Sequence, residues 1–239
     1  NNYIQFSSNN LNYAKGIIEK ELYNIEQYIL KLSTSPELRK IINLQNPPEG
    51  SPDMYWFYEF YKFYNSINIK NTKNKNKMFI LINKNNTVFS EGYASFSFKD
   101  FYYYYFRYED LDFEEWYTMY FDKHFYRSYI PEKTIRINGR KENYITLLYT
   151  LPIGGGPEHN SKIEAVIAYL FDANELKKML QTTVPQTGGC ACIVDKNNNI
   201  LVSTNSTAQL NTIDILNIKE GYTFTTINNE KVLAIYTDI

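Results

Sequence analysis

The chain has 239 residues, with 25 Lys plus Arg, 26 Asp plus Glu and a formal net charge of -1. Hydrophobic residues make up 44% and charged residues 21%, which is typical of a globular protein and excludes a disordered one. A charge so close to zero argues against a general nucleic-acid-binding protein, which would carry a basic face. No apolar run reaches the roughly 18 residues of a membrane span. The chain begins at Asn1 without Met, so we expect an excised soluble piece whose flanking membrane helices have been removed.

A helical repeat occupies residues 3–32. Its apolar residues recur every seven positions, at Ile4, Leu11, Ile18, Ile25 and Leu32. This period predicts one continuous apolar face on a helix. A helix of about 30 residues would be about 45 Å long, which is more than the width of one small domain. We therefore expect it to run along both halves of the chain or to pair with a second copy in a homodimer. Ser35 and Pro36 then predict the N-cap and first turn of a short second helix.

A polar turn between two short apolar runs occurs twice. Residues 82–88 read INKNNTV, and residues 194–200 read VDKNNNI. Asn and Asp tolerate the positive φ that tight hairpin turns require. Each copy therefore predicts a strand, a turn and a strand, and the repetition predicts two small domains in tandem.

Aromatic residues dominate the stretch between the two copies. Residues 101–106 read FYYYYF, which predicts a half-buried surface element, because tyrosine suits a wet edge. Further along we expect a helix over 112–121, strands over 144–152 and 163–171, and a helix over 173–181. The loops at 46–53 and 154–157 are rich in Pro and Gly, and a helix is expected over 54–67. The triple glycine at 154–156 is interpreted as a hairpin tip, because the Lys-Ser/Thr of a phosphate-binding loop is missing.

The two cysteines, Cys190 and Cys192, lie two positions apart on a predicted strand. A zinc site needs four ligands, and the only histidines are His124 and His159. We therefore expect no metal, no other cofactor, and two small buried thiols.

The order of elements and several local signatures resemble a known family. The signatures are LSTSPELRKI, FEEWYTMYF, LYTLPI, IEAVIAYLFDANELKKML and CACIVDKNNNILVS. With the doubled hairpin, they resemble the double-Cache domain, the extracytoplasmic sensor region of bacterial chemoreceptors, histidine kinases and membrane-bound AraC-type regulators. The EEW helix and the SPELRK break look most like the regulator and kinase branch. The resemblance implies an α+β fold in which a long N-terminal helix is followed by two tandem PAS-like antiparallel-sheet modules. The expected boundaries are 1–43 for the long helix and the short second helix, 44–181 for the membrane-distal module and 182–239 for the membrane-proximal module.

The same resemblance implies a function. The chain would be the extracellular ligand-sensing domain of a transmembrane receptor, with a small molecule bound in the distal module. An amino-acid-binding subset of the family carries an Arg-x-Trp-Tyr motif, a later Tyr and a strand-end Asp. Trp116 and Tyr117 match the Trp-Tyr pair and Tyr129 the later Tyr, whereas Glu114 and Leu170 stand at the Arg and Asp positions. Because Arg would clamp a carboxylate and Asp would pair with an ammonium, their loss predicts a neutral, sugar-like or heterocyclic ligand.

Each candidate site residue also has an ordinary structural explanation. Trp116 and Tyr117 are either pocket walls or core, and the other tyrosines either turn their hydroxyls to a ligand or pack in the sheet. Arg107 and Arg127 each either meet an anionic ligand or form a solvated salt bridge. Asp172 either contacts the ligand or caps the helix that follows it. The full candidate set is Trp116, Tyr117, Tyr129, Tyr103, Tyr105, Arg107, Tyr149 and Asp172.

Two other functions stay open. The tyrosine-rich run with Trp116 also fits a carbohydrate-binding or adhesive surface protein, because flat aromatic faces stack on sugars. An enzyme is not expected: the sequence has neither Gly-x-Ser-x-Gly nor His-Glu-x-x-His. A glycosidase would need two carboxylates held across a cleft, which a sequence alone does not show.

Overall fold

The computed structural model describes residues 2–43, 58–59, 61–63, 76–152, 162–184, 189–195, 199–205, 220–227 and 230–237. The chain divides into two compact units. One consists of Gln27–Asp172, and the other consists of Asn1–Glu26 together with Ala173–Ile239. The domain boundaries expected from the sequence stay a prediction. The predicted loops at 46–53 and 154–157 and most of the helix at 54–67 lie outside the described residues.

The chain begins with the long helix that its seven-residue repeat predicts. Helix α1 spans Asn2–Ser33, and α2 spans Pro36–Asn43. Of the predicted stripe, Ile18, Ile25 and Leu32 are buried and Ile4 and Leu11 are half-buried, and the neighbouring Ala14 and Ile29 are buried as well. The hydroxyl oxygen of Ser35 accepts a hydrogen bond from the Leu38 backbone N–H at 3.1 Å, so Ser35 is the N-cap of α2. Within the described part of the chain, no helix combines the length and the apolar character that crossing a membrane requires.

The unit Gln27–Asp172 is built on one antiparallel sheet. The strands are β1 (Lys77–Ile82), β2 (Thr87–Ser90), β3 (Tyr93–Ser95), β4 (Phe106–Tyr108), β5 (Ser128–Ile137), β6 (Arg140–Leu151) and β7 (Ala165–Asp172). Their spatial order is β3-β2-β1-β7-β6-β5-β4, and every neighbouring pair is antiparallel. Asn86, with φ of 54°, lies in the β1–β2 turn, and Asn138 and Gly139, with φ of 47° and 79°, join β5 to β6. Asn and Gly tolerate this left-handed geometry, which explains why the hairpins close there.

The central strands are buried on both faces. One face, here called the inner face, carries Phe79, Leu81, Phe106, Tyr108, Ile135, Ile137, Tyr144, Leu148, Val166, Ala168 and Leu170, which belong to one apolar cluster. The opposite face carries a second buried set, which includes Ile80, Ile82, Ile145, Leu147, Tyr149, Leu151 and Ile167. Because successive side chains alternate between the two faces, strands buried on both sides are apolar at nearly every position. The run AVIAYLFD in β7 is an example.

The described residues of the other unit form the first part of α1, one further helix and two separate hairpins. Strand β8 (Cys192–Val194) pairs with β9 (Ile200–Ser203), and β10 (Glu220–Ile227) pairs with β11 (Glu230–Thr237). The further helix of this unit is α4 (Ala173–Gln181), whereas α3 (Phe113–Phe121) belongs to the unit Gln27–Asp172. In the β8–β9 hairpin, Asp195 exchanges hydrogen bonds with Asn199 through its backbone N–H and its carboxylate. Both copies of the repeat therefore contain two paired antiparallel strands, while residues 196–198 of the second copy lie outside the described residues. The α+β class, with a long N-terminal helix followed by antiparallel sheet, is confirmed.

The cysteines do not behave as the sequence predicts. Strand β8 begins at Cys192, so Cys190 precedes the strand, and its side chain is exposed. The expectation of two buried thiols on one strand face is therefore wrong. Both thiols are free, and burial raises the pKa of Cys192 to about 11, with a smaller contribution from the nearby Cys190.

Candidate functional site

Helix α3 is fixed at its start by a reciprocal cap. The Asp112 carboxylate accepts from the Glu115 backbone N–H at 2.8 Å, and the Glu115 carboxylate accepts from the Asp112 backbone N–H at 2.9 Å. This is the capping box, which satisfies two backbone donors that a helix start leaves free. Trp116 and Tyr120 follow, one turn apart, and both are buried on the side of α3 that meets the sheet.

The aromatic run before α3 forms a π-helix, Phe101–Tyr105, which continues a short helical turn at Phe98–Asp100. The wider turn places successive tyrosines in different surroundings. Tyr102 is buried, whereas Tyr103 and Tyr104 are 52% and 83% exposed. The Tyr102 hydroxyl donates to the backbone carbonyl of Leu111 at 2.6 Å, so the π-helix is tied to the loop that enters α3.

Trp116 lies at the centre of an aromatic cluster between α3, the π-helix and the inner face. Its side chain is 0% exposed. Six rings surround it, with centroid distances of 5.1 to 6.2 Å, at Tyr102, Tyr120, Phe113, Phe101, Phe98 and Phe106. The rings meet at tilted or edge-on angles, as aromatic pairs prefer. The indole N–H of Trp116 is buried without a hydrogen bond of ordinary geometry among the described residues, and the Tyr120 hydroxyl is close enough to interact with it.

The Tyr120 hydroxyl belongs to a group of three buried hydroxyls. The Tyr108 hydroxyl is 2.9 Å from the Tyr120 hydroxyl and 3.2 Å from the Thr146 hydroxyl. Burial raises the pKa of Tyr108 to about 12 and that of Tyr120 well above its ordinary value, so both phenols keep their protons near neutral pH. Sequence reasoning missed these three residues. Tyr120, one helical turn after Trp116, was the available signal.

Four of the candidate residues lie on the side of the sheet that carries Trp116. Tyr105 and Tyr117 pack against the inner-face cluster. The Tyr117 hydroxyl donates to the Asn83 side-chain carbonyl at 3.2 Å. Asp172 ends β7, is 2% exposed, and is the cross-strand partner of the inner-face residue Tyr144. The structure therefore brings Trp116, Tyr105, Tyr117 and Asp172 to one side of the sheet.

The remaining four candidates lie elsewhere. Tyr129 pairs with Leu147 and Tyr149 with Ile167, both on the opposite face of the sheet. The Tyr129 hydroxyl is buried there without a hydrogen-bond partner among the described residues. Arg107 is exposed opposite Arg136, and Tyr103 is exposed on the π-helix. Whether these residues contact a ligand stays a prediction, but the sheet separates Tyr129, Tyr149 and Arg107 from Trp116.

A β-bulge explains the position of Tyr129. The register shifts between Ile130 and Lys133, so that β5 gains one residue relative to β6. A single extra residue turns all the preceding side chains to the other face. Ile130 therefore packs towards the inner-face cluster, and Tyr129 is placed on the opposite side.

The described residues of the apolar cluster around Trp116 carry no charged side chain. Among the buried polar residues that the structure describes, Asp172 is the one with a charged side chain. Ion pairs lie at exposed positions, such as Glu109 with Arg136 and Lys141, where the hydrogen bond from Lys141 lowers the pKa of Glu109. Leu170 and Glu114 are the residues that the resemblance aligned with the Asp and Arg of the amino-acid-binding motif. Leu170 is part of the apolar cluster, and Glu114 is exposed. In the described residues, no group of His, Cys, Asp or Glu is arranged to hold a metal ion.

Comparison with known proteins gives a clear result at the level of the fold. No protein-family model matches the sequence, and no curated protein matches it. The ligand-binding domain of the Campylobacter jejuni chemoreceptor Tlp3, in complex with 4-methylisoleucine, matches with a TM-score of 0.50 and 16% identity, over 97% of this chain and 84% of that one. The fold is that of a chemoreceptor sensory domain. The resemblance to a double-Cache domain is therefore confirmed for the fold, whereas the regulator and kinase branch stays a prediction.

A second sensory domain gives a similar alignment. The ligand-binding domain of the Pseudomonas aeruginosa PAO1 amino acid chemoreceptor PctC, in complex with GABA, matches with a TM-score of 0.48 and 13% identity. The alignment covers 98% of this chain and 88% of that one.

Proposed function

We propose that this chain is the ligand-sensing domain of a bacterial transmembrane receptor, on the extracytoplasmic side of the membrane, and that a small molecule binds in the unit Gln27–Asp172. The observation that carries the proposal is the aromatic cluster around Trp116, which encloses buried hydroxyl and indole donors in a fold shared with a chemoreceptor ligand-binding domain. Small-molecule sites are mostly apolar and aromatic, with a few placed polar groups that orient the ligand.

The ligand would bind between α3 and the inner face of the sheet. Because Trp116 is closely surrounded, a molecule that enters must move α3 or the π-helix away from the sheet. The hydrogen bond from Tyr102 to Leu111 and the cap at Asp112 join the two elements into one segment, so they would move together. Binding energy would then favour a second arrangement of this segment, which α1 would transmit towards the membrane.

The chemistry of the interior favours an uncharged ligand. A carboxylate or ammonium buried beside Trp116 would lose its hydration, and burying an unpaired charge is costly. The chemoreceptor domains compared above bind amino acids or GABA, which carry both charges. In this chain Leu170 and Glu114 stand where the amino-acid-binding motif has Asp and Arg. We therefore expect a neutral, sugar-like or heterocyclic molecule.

A thermal-shift screen tests the proposal directly. The panel contains amino acids, carboxylates, amines, amides, hexoses and nucleobases. A ligand at 100 times its dissociation constant stabilises a domain by about 2.7 kcal/mol, which raises the melting temperature by a few degrees. Trp116→Phe should weaken the binding of the stabilising compound several-fold, and Tyr13→Phe, an exposed tyrosine on α1, should leave it unchanged.

Two results would contradict the proposal. One is a panel in which no compound stabilises the protein. The other is a full-length gene that encodes no membrane helices around this domain.

A carbohydrate-binding surface is the second candidate, and one observation favours it. Tyr103 and Tyr104 expose their rings next to each other on the π-helix, where flat sugar faces have access. Binding on a glycan array that Tyr104→Ala abolishes would support this function over a closed pocket. Glycan binding that survives this change, or no glycan binding at all, would exclude the exposed pair as a sugar site.

A further inference from the structure

We propose that the side-chain amide of Asn85, in the turn between β1 and β2, is a recognition group of the ligand site. It would take a neutral ligand that presents a hydrogen-bond donor beside an acceptor in one plane, as a carboxamide or an amino-substituted heterocycle does. The inference rests on the proposed sensing function and deepens it, because it names a residue that selects the ligand and the chemical class that it selects.

The side-chain amide of Asn85 is buried but makes no hydrogen bond. Its nitrogen and its oxygen are both almost inaccessible to solvent, and neither has a partner among the described residues. An asparagine amide carries two N–H donors and one carbonyl acceptor. Most buried polar side-chain atoms in native proteins have a partner, so an amide that lacks one at both ends needs an explanation.

The turn itself does not explain Asn85. The residue with positive φ is Asn86, at 54°, whereas Asn85 ends the 3₁₀ turn Asn83–Asn85, whose backbone suits most residue types. The backbone carbonyl of Asn85 accepts from the Thr87 hydroxyl at 3.4 Å, and this bond needs no particular side chain at position 85. No contact in the described part of the chain therefore requires an amide there.

The neighbouring Asn83 shows an amide that is used at both ends. Its side-chain N–H donates to the backbone carbonyl of Ile163 at 3.1 Å, and its carbonyl oxygen accepts from the Tyr117 hydroxyl at 3.2 Å. These bonds tie the turn to the segment that enters β7 and to α3. Asn83 is thus a positioning residue, and Asn85 lies two residues further on, in a turn joined to the helix that carries Trp116.

An amide selects its partner by offering a donor and an acceptor side by side. A carboxamide or the edge of adenine offers an acceptor and a donor in the matching arrangement, so the two groups pair through two hydrogen bonds. A carboxylate offers acceptors only, which would oppose the Asn85 carbonyl oxygen. An ammonium offers donors only, which would oppose the Asn85 N–H groups. The amide therefore favours a neutral molecule over an anion or a cation.

The charged side chains that adjoin this turn in sequence or through its hydrogen bonds are exposed or paired. Lys84 is exposed. Glu164, whose backbone carbonyl accepts from the Asn83 backbone N–H, is paired with Arg39 at 2.6 Å. The buried Asp172 carboxylate ends β7, whereas the turn meets the beginning of that strand. At about 3.3 Å per residue, β7 places Asp172 roughly 23 Å further along the sheet, too far to pair with a group held at Asn85.

The principal alternative is a buried water molecule, which can accept from the Asn85 N–H and donate to its carbonyl oxygen. The amide would then belong to the fold, and an apolar side chain of similar shape would lower the stability of the free protein. In the proposed case the amide has no partner until the ligand binds. The same replacement then leaves the stability of the free protein unchanged or raises it, and weakens ligand binding.

Matched probes and variants test the inference. The probes are benzamide, benzoate and benzylamine, which share one ring and differ in charge, and adenine and purine, which differ in the amino donor. Melting temperature and calorimetric binding are measured on the whole chain and on Asn85→Leu, Asn85→Asp and the control Asn197→Leu. Asn197 is at the same sequence position in the second copy of the repeat. Circular dichroism confirms that each variant is folded.

We expect benzamide, adenine or a neutral amide from the screening panel to bind with higher affinity than its charged or donor-lacking counterparts. Its dissociation constant should rise at least tenfold in Asn85→Leu, which corresponds to about 1.4 kcal/mol, and stay unchanged in Asn197→Leu. Asn85→Asp should instead favour benzylamine over benzamide, because a carboxylate accepts hydrogen bonds from an ammonium. The melting temperature of free Asn85→Leu should equal or exceed that of the unmodified chain.

The outcomes that would overturn the inference are distinguishable from a failure of the proposed function. If only charged compounds bind, or if a neutral compound binds equally to Asn85→Leu and the unmodified chain, the recognition group is wrong while ligand sensing stands. A lower melting temperature of Asn85→Leu with unchanged binding would assign the amide to the fold. If no compound of the probe set or the screening panel binds, the proposed function is contradicted and the inference falls with it.

Discussion

Replacing Trp116 by alanine tests whether the aromatic cluster is the core that holds α3 on the sheet. The side chain is 0% exposed and is surrounded by six aromatic rings, so its removal leaves a cavity bounded by residues from four elements: the turn Phe98–Asp100, the π-helix, β4 and α3. Truncation of a buried Trp or Phe to Ala typically costs about 3–5 kcal/mol. The total unfolding free energy of a domain is about 5–15 kcal/mol, so the variant should lose a large share of its stability.

The assay is urea denaturation followed by far-ultraviolet circular dichroism, which does not depend on tryptophan emission. Trp116→Phe, which keeps a ring in the cluster, should lose less than Trp116→Ala. Tyr104→Ala, at a ring that is 83% exposed, should stay within about 0.5 kcal/mol of the unmodified chain. If Trp116→Ala has the same denaturation midpoint and slope as the unmodified chain, Trp116 is not packed as described and the reasoning about α3 fails.

The remaining predictions concern the cap, the buried phenol, one turn and the long helix. Asp112→Ala should lower the unfolding free energy by about 1 kcal/mol in urea denaturation and Asp112→Asn by much less, because Asn caps as well as Asp; equal losses would argue against the cap. The pKa of Tyr108 is raised to about 12, so its neutral phenol contributes stability that is complete below pH 10 and is lost as the pH rises from 10 through 12. Stability should therefore fall by about 1 kcal/mol more in the unmodified chain than in Tyr108→Phe between pH 9 and 11, and identical slopes would refute the shift. Asn86→Val should cost about 1–2 kcal/mol while Asn86→Gly is tolerated, because φ is 54° there; a stable Val variant by thermal melting would contradict that geometry. Ile18 is buried within the single chain, so Ile18→Asp should unfold the protein in a sedimentation experiment, whereas a folded monomer derived from a dimer would show that α1 pairs two copies.

Local patterns predicted the helices and hairpins well, because the forces that form them act over a few residues. The seven-residue repeat of α1 needs only the helical period, and the buried stripe at Ile18, Ile25 and Leu32 follows it. The Asn-rich turns tolerate positive φ, and Asn86 has it. The cysteines show the limit of this reasoning. The prediction that Cys190 is buried required it to lie on strand β8, but β8 begins at Cys192, a position that the sequence does not mark.

The candidate site depends on register, which sequence alternation does not determine. Ile135 and Ile137 face the cluster, so simple alternation along β5 would place Tyr129 on the same face. The bulge between Ile130 and Lys133 reverses this, and nothing in the local sequence apart from Pro131 indicates it. The hydroxyl group of Thr146 meets those of Tyr108 and Tyr120 only when β4, β6 and α3 are assembled. The sequence alone does not predict that these three residues meet, because that requires the order of the strands in the sheet.

The most direct test of the central claim uses Trp116 as its own reporter. The chain has two tryptophans, at positions 56 and 116, so Trp56→Phe leaves Trp116 as the single emitter. The stabilising compound from the screen is titrated into this variant, and tryptophan emission and calorimetric heat are recorded together. The account predicts a saturable change in Trp116 emission whose dissociation constant equals the calorimetric one, because the ligand enters the cluster that surrounds the indole. Calorimetric binding with unchanged Trp116 emission would place the ligand elsewhere and contradict the account.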